Sequence, residues 1–133
     1  MRNKYLLAAL LFILSINASI CQETDIIESV TQNFRNTDTH ELSKFLSSNV
    51  ELEILADQDV YSKPQTELIL KDFINKHHPV SVKSLHRLDS NPNYRFGVFL
   101  LSTGNGKFRV SFSMKNSSGK FLITEISIKN YEN

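Results

Sequence analysis

Residues 106–129, GKFRVSFSMKNSSGKFLITEISIK, carry apolar side chains at alternate positions on both sides of a polar, glycine-containing break. Phe108, Val110, Phe112 and Met114 alternate with Arg109, Ser111 and Ser113, and Phe121 to Lys129 repeats the period. A period of two sends successive side chains to opposite faces of a strand, so the stretch reads as an antiparallel hairpin. The apolar faces match when Phe108, Val110, Phe112 and Met114 are aligned with Ile128, Ile126, Thr124 and Leu122, which leaves Asn116 to Lys120 as the loop. On the other face this register pairs Arg109 with Ser127, Ser111 with Glu125 and Ser113 with Ile123, and sets Arg109 diagonal to Glu125. A slip of one residue would turn one apolar face outward, which favours this alignment.

Upstream, Val80 to Leu88 and Tyr94 to Ser102 have the same period. Asn105-Gly106 reads as a hairpin turn, because both residues tolerate positive φ. It would pair Ser102 with Arg109 and Leu100 with Ser111. Phe99 and Leu101 then join the apolar face, and Phe96, Val98 and Leu100 the mixed one. Tyr94 to Leu101 is therefore apolar on both sides, so its second face needs a cover: the curled sheet, the helices or another subunit.

The preceding segment has the helical period. Thr24 is placed to cap a helix bearing Ile26, Ile27, Val30 and Phe34. Asp38 with Glu41 resembles a capping box for a short helix carrying Leu42, Phe45 and Leu46. Val50, Leu52 and Ile54 alternate with Glu51 and Glu53 as a half-buried strand, followed by a turn at Asp57-Gln58-Asp59 and a short apolar pair, Val60-Tyr61. Ser62 with Gln65 forms another capping box, with Pro64 in the first turn. Leu68, Ile69, Leu70, Phe73 and Ile74 fill one side of that third helix, which must stop at His77 or His78 before Pro79.

Two helices, two strands, a helix and four antiparallel strands make an α+β domain, with three helices in the N-terminal half packed on a curved, mostly antiparallel sheet. With Ile26 to Phe34, Val50-Glu51-Leu52, Val60-Tyr61-Ser62-Lys63, Ile69-Leu70-Lys71-Asp72-Phe73 and Gly106-Lys107-Phe108-Arg109-Val110, the chain resembles the nuclear transport factor 2-like superfamily. More narrowly it is similar to an exported bacterial domain family of unknown function with that fold. The resemblance covers residues 24–130 and implies a cone-shaped sheet closed on one side by helices. It brings no catalytic motif, and the superfamily hosts isomerases, dehydratases, ligand binders and transport adaptors.

The N-terminus reads as a secretory signal over residues 1–21 and residues 22–133 as the domain. Arg2 and Lys4 precede an apolar stretch from Tyr5 to Ile16, followed by Asn17, Ala18 and Ser19. Twelve residues extend roughly 18 Å as a helix, short of the ~30 Å hydrocarbon core, so no stable membrane span is expected. The expected location is periplasmic or secreted. Bulky Ile20 before Cys21 argues against lipid anchoring there. Cys21 is the only cysteine, so the domain after it holds no internal disulfide. Without Arg2 and Lys4, thirteen Lys and Arg face fourteen Asp and Glu, which gives no nucleic-acid footprint.

Candidate ligand-binding residues are Tyr61, His86, Arg109 and Glu125. Arg109 and Glu125, with Ser111 and Ser127 beside them, would hold an anionic or polar ligand in a cavity, or form an exposed cross-strand pair. His86 would serve as a general base if it faced a cavity, and Tyr61 would present its hydroxyl to a pocket. Asp57, Asp59 and Asp72 fall in a turn and on a helix's polar side, and the sequence places none of them opposite Tyr61. His77-His78, adjacent at a helix end, point apart and lack converging partners, so no metal and no cofactor is expected. Phe96, Val98 and Leu100 are the candidates for second-face packing or a homodimer. The leading expectation is a non-enzymatic exported domain that binds a small ligand or a protein partner. The alternative is a small isomerase- or dehydratase-like enzyme using His86, Tyr61 or Glu125.

Overall fold

The structure is a computed structural model and describes residues 25–132. The signal segment, Cys21 and Thr24 lie outside the described residues, and the capping expected of Thr24 is done by Asp25, one residue later. The elements run α1 Ile26–Arg35, α2 Thr39–Ser43, β1 Leu46–Ile54, β2 Asp57–Ser62, α3 Lys63–Lys76, β3 Pro79–Leu88, β4 Tyr94–Thr103, β5 Gly106–Ser117 and β6 Lys120–Asn130. The strands form one curved sheet in the order β2-β1-β6-β5-β4-β3. Only β1 and β6 run parallel; the other neighbours are antiparallel. The α+β class and the nuclear transport factor 2-like architecture are thus those read from the sequence.

Local chemistry sets the helix starts. Asp25 caps α1, accepting from the Glu28 N–H at 3.2 Å, and Asp38 caps α2, accepting from the Glu41 N–H at 3.0 Å. Ser62 and Gln65 make the reciprocal box that starts α3. The buried face of α3 is Thr66, Leu70, Phe73 and Ile74, spaced i, i+4, i+7, i+8. Leu68, expected on that face, lies about 200° around the helix from Thr66 and is 66% exposed.

α1 packs on β3 and β4, α3 on β1 and β2, and α2 links the two helices. The space between helices and sheet is filled. Phe34 packs against Phe99 with ring centroids 5.2 Å apart and planes inclined at 60°, Phe99 lies 6.3 Å from Phe112, and Val110, Met114, Ile123 and Ile126 are fully buried around them. Gly97 is the point of closest approach: a Cβ there would lie 2.7 Å from Cζ of Phe112 and 3.0 Å from Cγ2 of Ile27.

Three turns differ from the sequence reading, and each has a local cause. The β1–β2 turn is Leu55-Ala56, two residues earlier than expected, with Asp57 already in β2; the Leu55 N–H is held by the Ile128 carbonyl at 2.8 Å. The β4–β5 turn is Gly104-Asn105, pairing Thr103 with Gly106 and Leu100 with Arg109. Asn105 is used as a side chain instead of as a positive-φ residue: its Nδ2 donates to the Lys76 carbonyl at the end of α3. The β5–β6 turn is Ser118-Gly119, both at positive φ, tightened by the Gly119 N–H donating to Asn116 Oδ1.

A bulge then shifts the register between Ser113 and Met114, leaving Thr124 outside the pairing. It lets both Ile126 and Ile123 face the core and turns Leu122, expected inside, to the other face. Arg109 therefore stands opposite Lys129, not Ser127, and Glu125 opposite Ser113. The expected diagonal Arg109–Glu125 pair is four residues out of register and does not form.

Candidate functional site

With the cone interior occupied, concave space is found at its ends. One cleft of about 310 Å³ opens between α3 and the β1–β2 hairpin. Leu52, Ile54, Ile69 and Phe73 give it an apolar floor, and Tyr61, Asp57, Asp72, Lys76 and His77 supply polar groups around it. The sequence positions these groups from both sides. Tyr61 pairs with Val50 on the helix side of the sheet, and its neighbour Ser62 starts α3, so the phenol is fixed at the strand-to-helix corner. The last two turns of α3 carry Ile69, Asp72, Phe73 and Lys76 along the rim, followed by the C-cap His77. Leu55, at the mouth, holds φ at 57°, a left-handed conformation that costs a bulky side chain energy.

Charge within the cleft is uneven. Asp72 is paired with Lys76 at 2.8 Å, whereas Asp57 has no ion-pair partner among the described residues. His77 is packed between Phe73, 4.6 Å away, and Phe108, 4.8 Å away. Its Nδ1 lies 2.9 Å from Asn105 Oδ1. Because Asn105 Nδ2 donates to the Lys76 carbonyl, its oxygen faces the ring, so the His77 Nδ1–H is the donor.

A second cleft, about 360 Å³, lies at the N-terminus of α1 between Asp25, Arg87, Asp89, Arg95 and Phe121. Arg87 from β3 binds Asp25 through two hydrogen bonds of 2.8 and 3.0 Å and also reaches Asp89. The guanidinium holds the Asp25 carboxyl below the usual carboxylate range, and Asp25 raises Arg87. Arg95 lies over the Phe121 ring at 4.3 Å and donates to the Asn91 and Tyr94 carbonyls. Each basic group is already engaged, so this end reads as a latch between α1 and the sheet.

The candidate residues of the sequence reading divide between the two faces. Tyr61 lines the α3 cleft. His86, Arg109 and Glu125 are exposed on the helix-free face, where Glu53 takes the polar contacts: Ser127 Oγ at 3.0 Å and Lys129 Nζ at 3.5 Å. Phe96, Val98 and Leu100 share that face; Val98 is 3% exposed within the single chain, and the other two are half-buried. Asp57, Asp72 and Tyr61 line one cleft, a grouping that could not be placed from the sequence. The misplaced β1–β2 turn hid this, and the Asp72–Lys76 spacing was the available signal. Among the described residues no group of three or more His, Cys, Asp or Glu is arranged to hold a metal, and no helix is long and apolar enough to cross a membrane.

The chain is similar to several solved structures. A protein from Bacteroides uniformis superposes with a TM-score of 0.78 at 26% identity, covering 82% of this chain and all of that one. A Bacteroides ovatus protein gives 0.74 at 24% identity over 78% of this chain and 94% of that one. A designed protein, Rd1NTF2_04 with long sheet, gives 0.61 at 13% identity over 77% and 98% of the two chains, a likeness of fold alone. No curated protein matches. Both Bacteroides proteins carry the family designation whose pattern matches residues 27–129 here, and the chain belongs to that family, the domain of unknown function DUF4783.

Proposed function

We propose that the protein is an exported, non-enzymatic binding domain that takes a small ligand in the cleft between α3 and the β1–β2 hairpin. The observation that carries this reading is the apolar floor of Leu52, Ile54, Ile69 and Phe73 beneath the Tyr61 phenol. An apolar base with a few convergent polar groups is the common form of a small-molecule site. The rival acid–base chemistry is disfavoured because His86 and Glu125 belong to the opposite face from Tyr61, and on that face β4 and β5 lie between His86 on β3 and Glu125 on β6, so no two of these groups can reach one substrate. Export rests on the charged, apolar and small-residue order of residues 1–21.

Native mass spectrometry of the protein recovered from its own periplasm or medium tests both parts. A retained small mass that disappears in Ile69→Trp supports the cleft, and a mature N-terminus near residue 22 supports export. Retention of Met1 overturns export, and a ligand that survives Ile69→Trp overturns the cleft. A second reading, a homodimer or partner on the helix-free face, draws on Phe96 and Leu100, half-buried there next to Leu88, 41% exposed. Sedimentation at micromolar concentration decides it, with a monomer refuting the dimer.

A further inference from the structure

The cleft's charges select among small ligands, and we infer that it takes a primary amine on an apolar body. This rests on the binding reading above and deepens it. The floor is apolar and the volume, about 310 Å³, suits a single ring or short aliphatic body. The polar groups accept more readily than they donate. Asp72 neutralises Lys76 at 2.8 Å, and that pair leaves the Asp57 carboxylate as the unmatched charge. With Nδ1 turned to the Asn105 oxygen, the one acceptor position that the His77 ring can offer is Nε2. The Tyr61 hydroxyl both donates and accepts. An ammonium group finds up to three acceptors here, whereas a carboxylate of the same size meets an unpaired like charge.

The three arms of the test share one apolar body. 2-Phenylethylamine, 2-phenylethanol and 3-phenylpropionate are titrated separately into the isotope-labelled protein at neutral pH, and amide shifts at Tyr61, Ile69 and His77 are followed. The amine is expected to bind tightest and the propionate weakest. Asp57→Asn is expected to weaken the amine up to about fivefold, the scale of an exposed ion pair, and to leave the alcohol within about twofold. If the alcohol or the propionate binds as well as the amine, or Asp57→Asn changes nothing, the amine class is wrong while the cleft stands. If none of the three moves the cleft amides, the binding reading itself fails.

Discussion

On the helix side of β4, Gly97, Phe99 and Leu101 are shut away from solvent by α1 and by Phe34 and Phe112. On the other side, Phe96 and Leu100 are half-buried and only Val98 is closed off, flanked in register by His86 and Ser111. Both faces of this strand are apolar, yet they are covered by different means. The inner face depends on shape complementarity with helices brought from far along the chain. The outer face is covered in part by its neighbours in the sheet, such as His86, whose ring lies 6.3 Å from Phe96. An apolar strand face therefore does not require a second layer, and cross-strand side chains supply some of the cover.

Truncation on the two faces gives the largest contrast. Phe99→Ala removes a 1%-exposed ring from the central cluster and should cost about 3–5 kcal/mol in denaturant unfolding. Gly97→Ala tests the tightness of the same face from the opposite direction. Its new methyl would meet Phe112 and Ile27 at sub-van der Waals distance, so about 1–3 kcal/mol should be lost through overpacking. Phe96→Ala, on the outer face, should cost about 1–2 kcal/mol, because only part of the ring is removed from water. A loss at Phe96 equal to that at Phe99, and dependent on protein concentration, would mean that a second chain covers the outer face.

Most of the fold was legible because its signals are local. The Ser62–Gln65 box, the Asp38 cap and the alternation from Val80 onward locate their elements to within one or two residues. Face assignments survived the register errors in β4 and β5, since the β4–β5 offset was even and both apolar sets kept their side. Hairpin registers were less legible. Asn105 was read for its backbone, but its amide ends α3, and Thr124 gave no sign that it would bulge. The candidate site was read only through Tyr61. Its other groups come from β1, β2 and α3, with the β4–β5 turn behind His77, and beyond the Asp72–Lys76 spacing on one helix a cleft assembled from separate segments leaves no spacing rule in the sequence.

The smallest expected effect is at the α1 end, where a charged latch does for the inner face what packing does at its centre. Arg87→Ala removes both hydrogen bonds to Asp25 and the contact with Asp89. Both Arg87 and Asp25 side chains are more than a third exposed, so solvent screening holds the loss to about 1 kcal/mol or less. Its pH dependence separates charge from packing. Arg87 lowers the folded-state pKa of Asp25, so the carboxylate's contribution is full above the unfolded-chain value of about 3.9 and is lost as pH falls through the lower folded value. The stability gap between the wild type and Arg87→Ala should therefore be constant from pH 7 down to about 5 and close progressively below about pH 4. Urea unfolding at a series of pH values measures it. A gap that persists unchanged to the acid limit would assign the effect to the Arg87 stem lying on the sheet, and the latch would then be a packing contact.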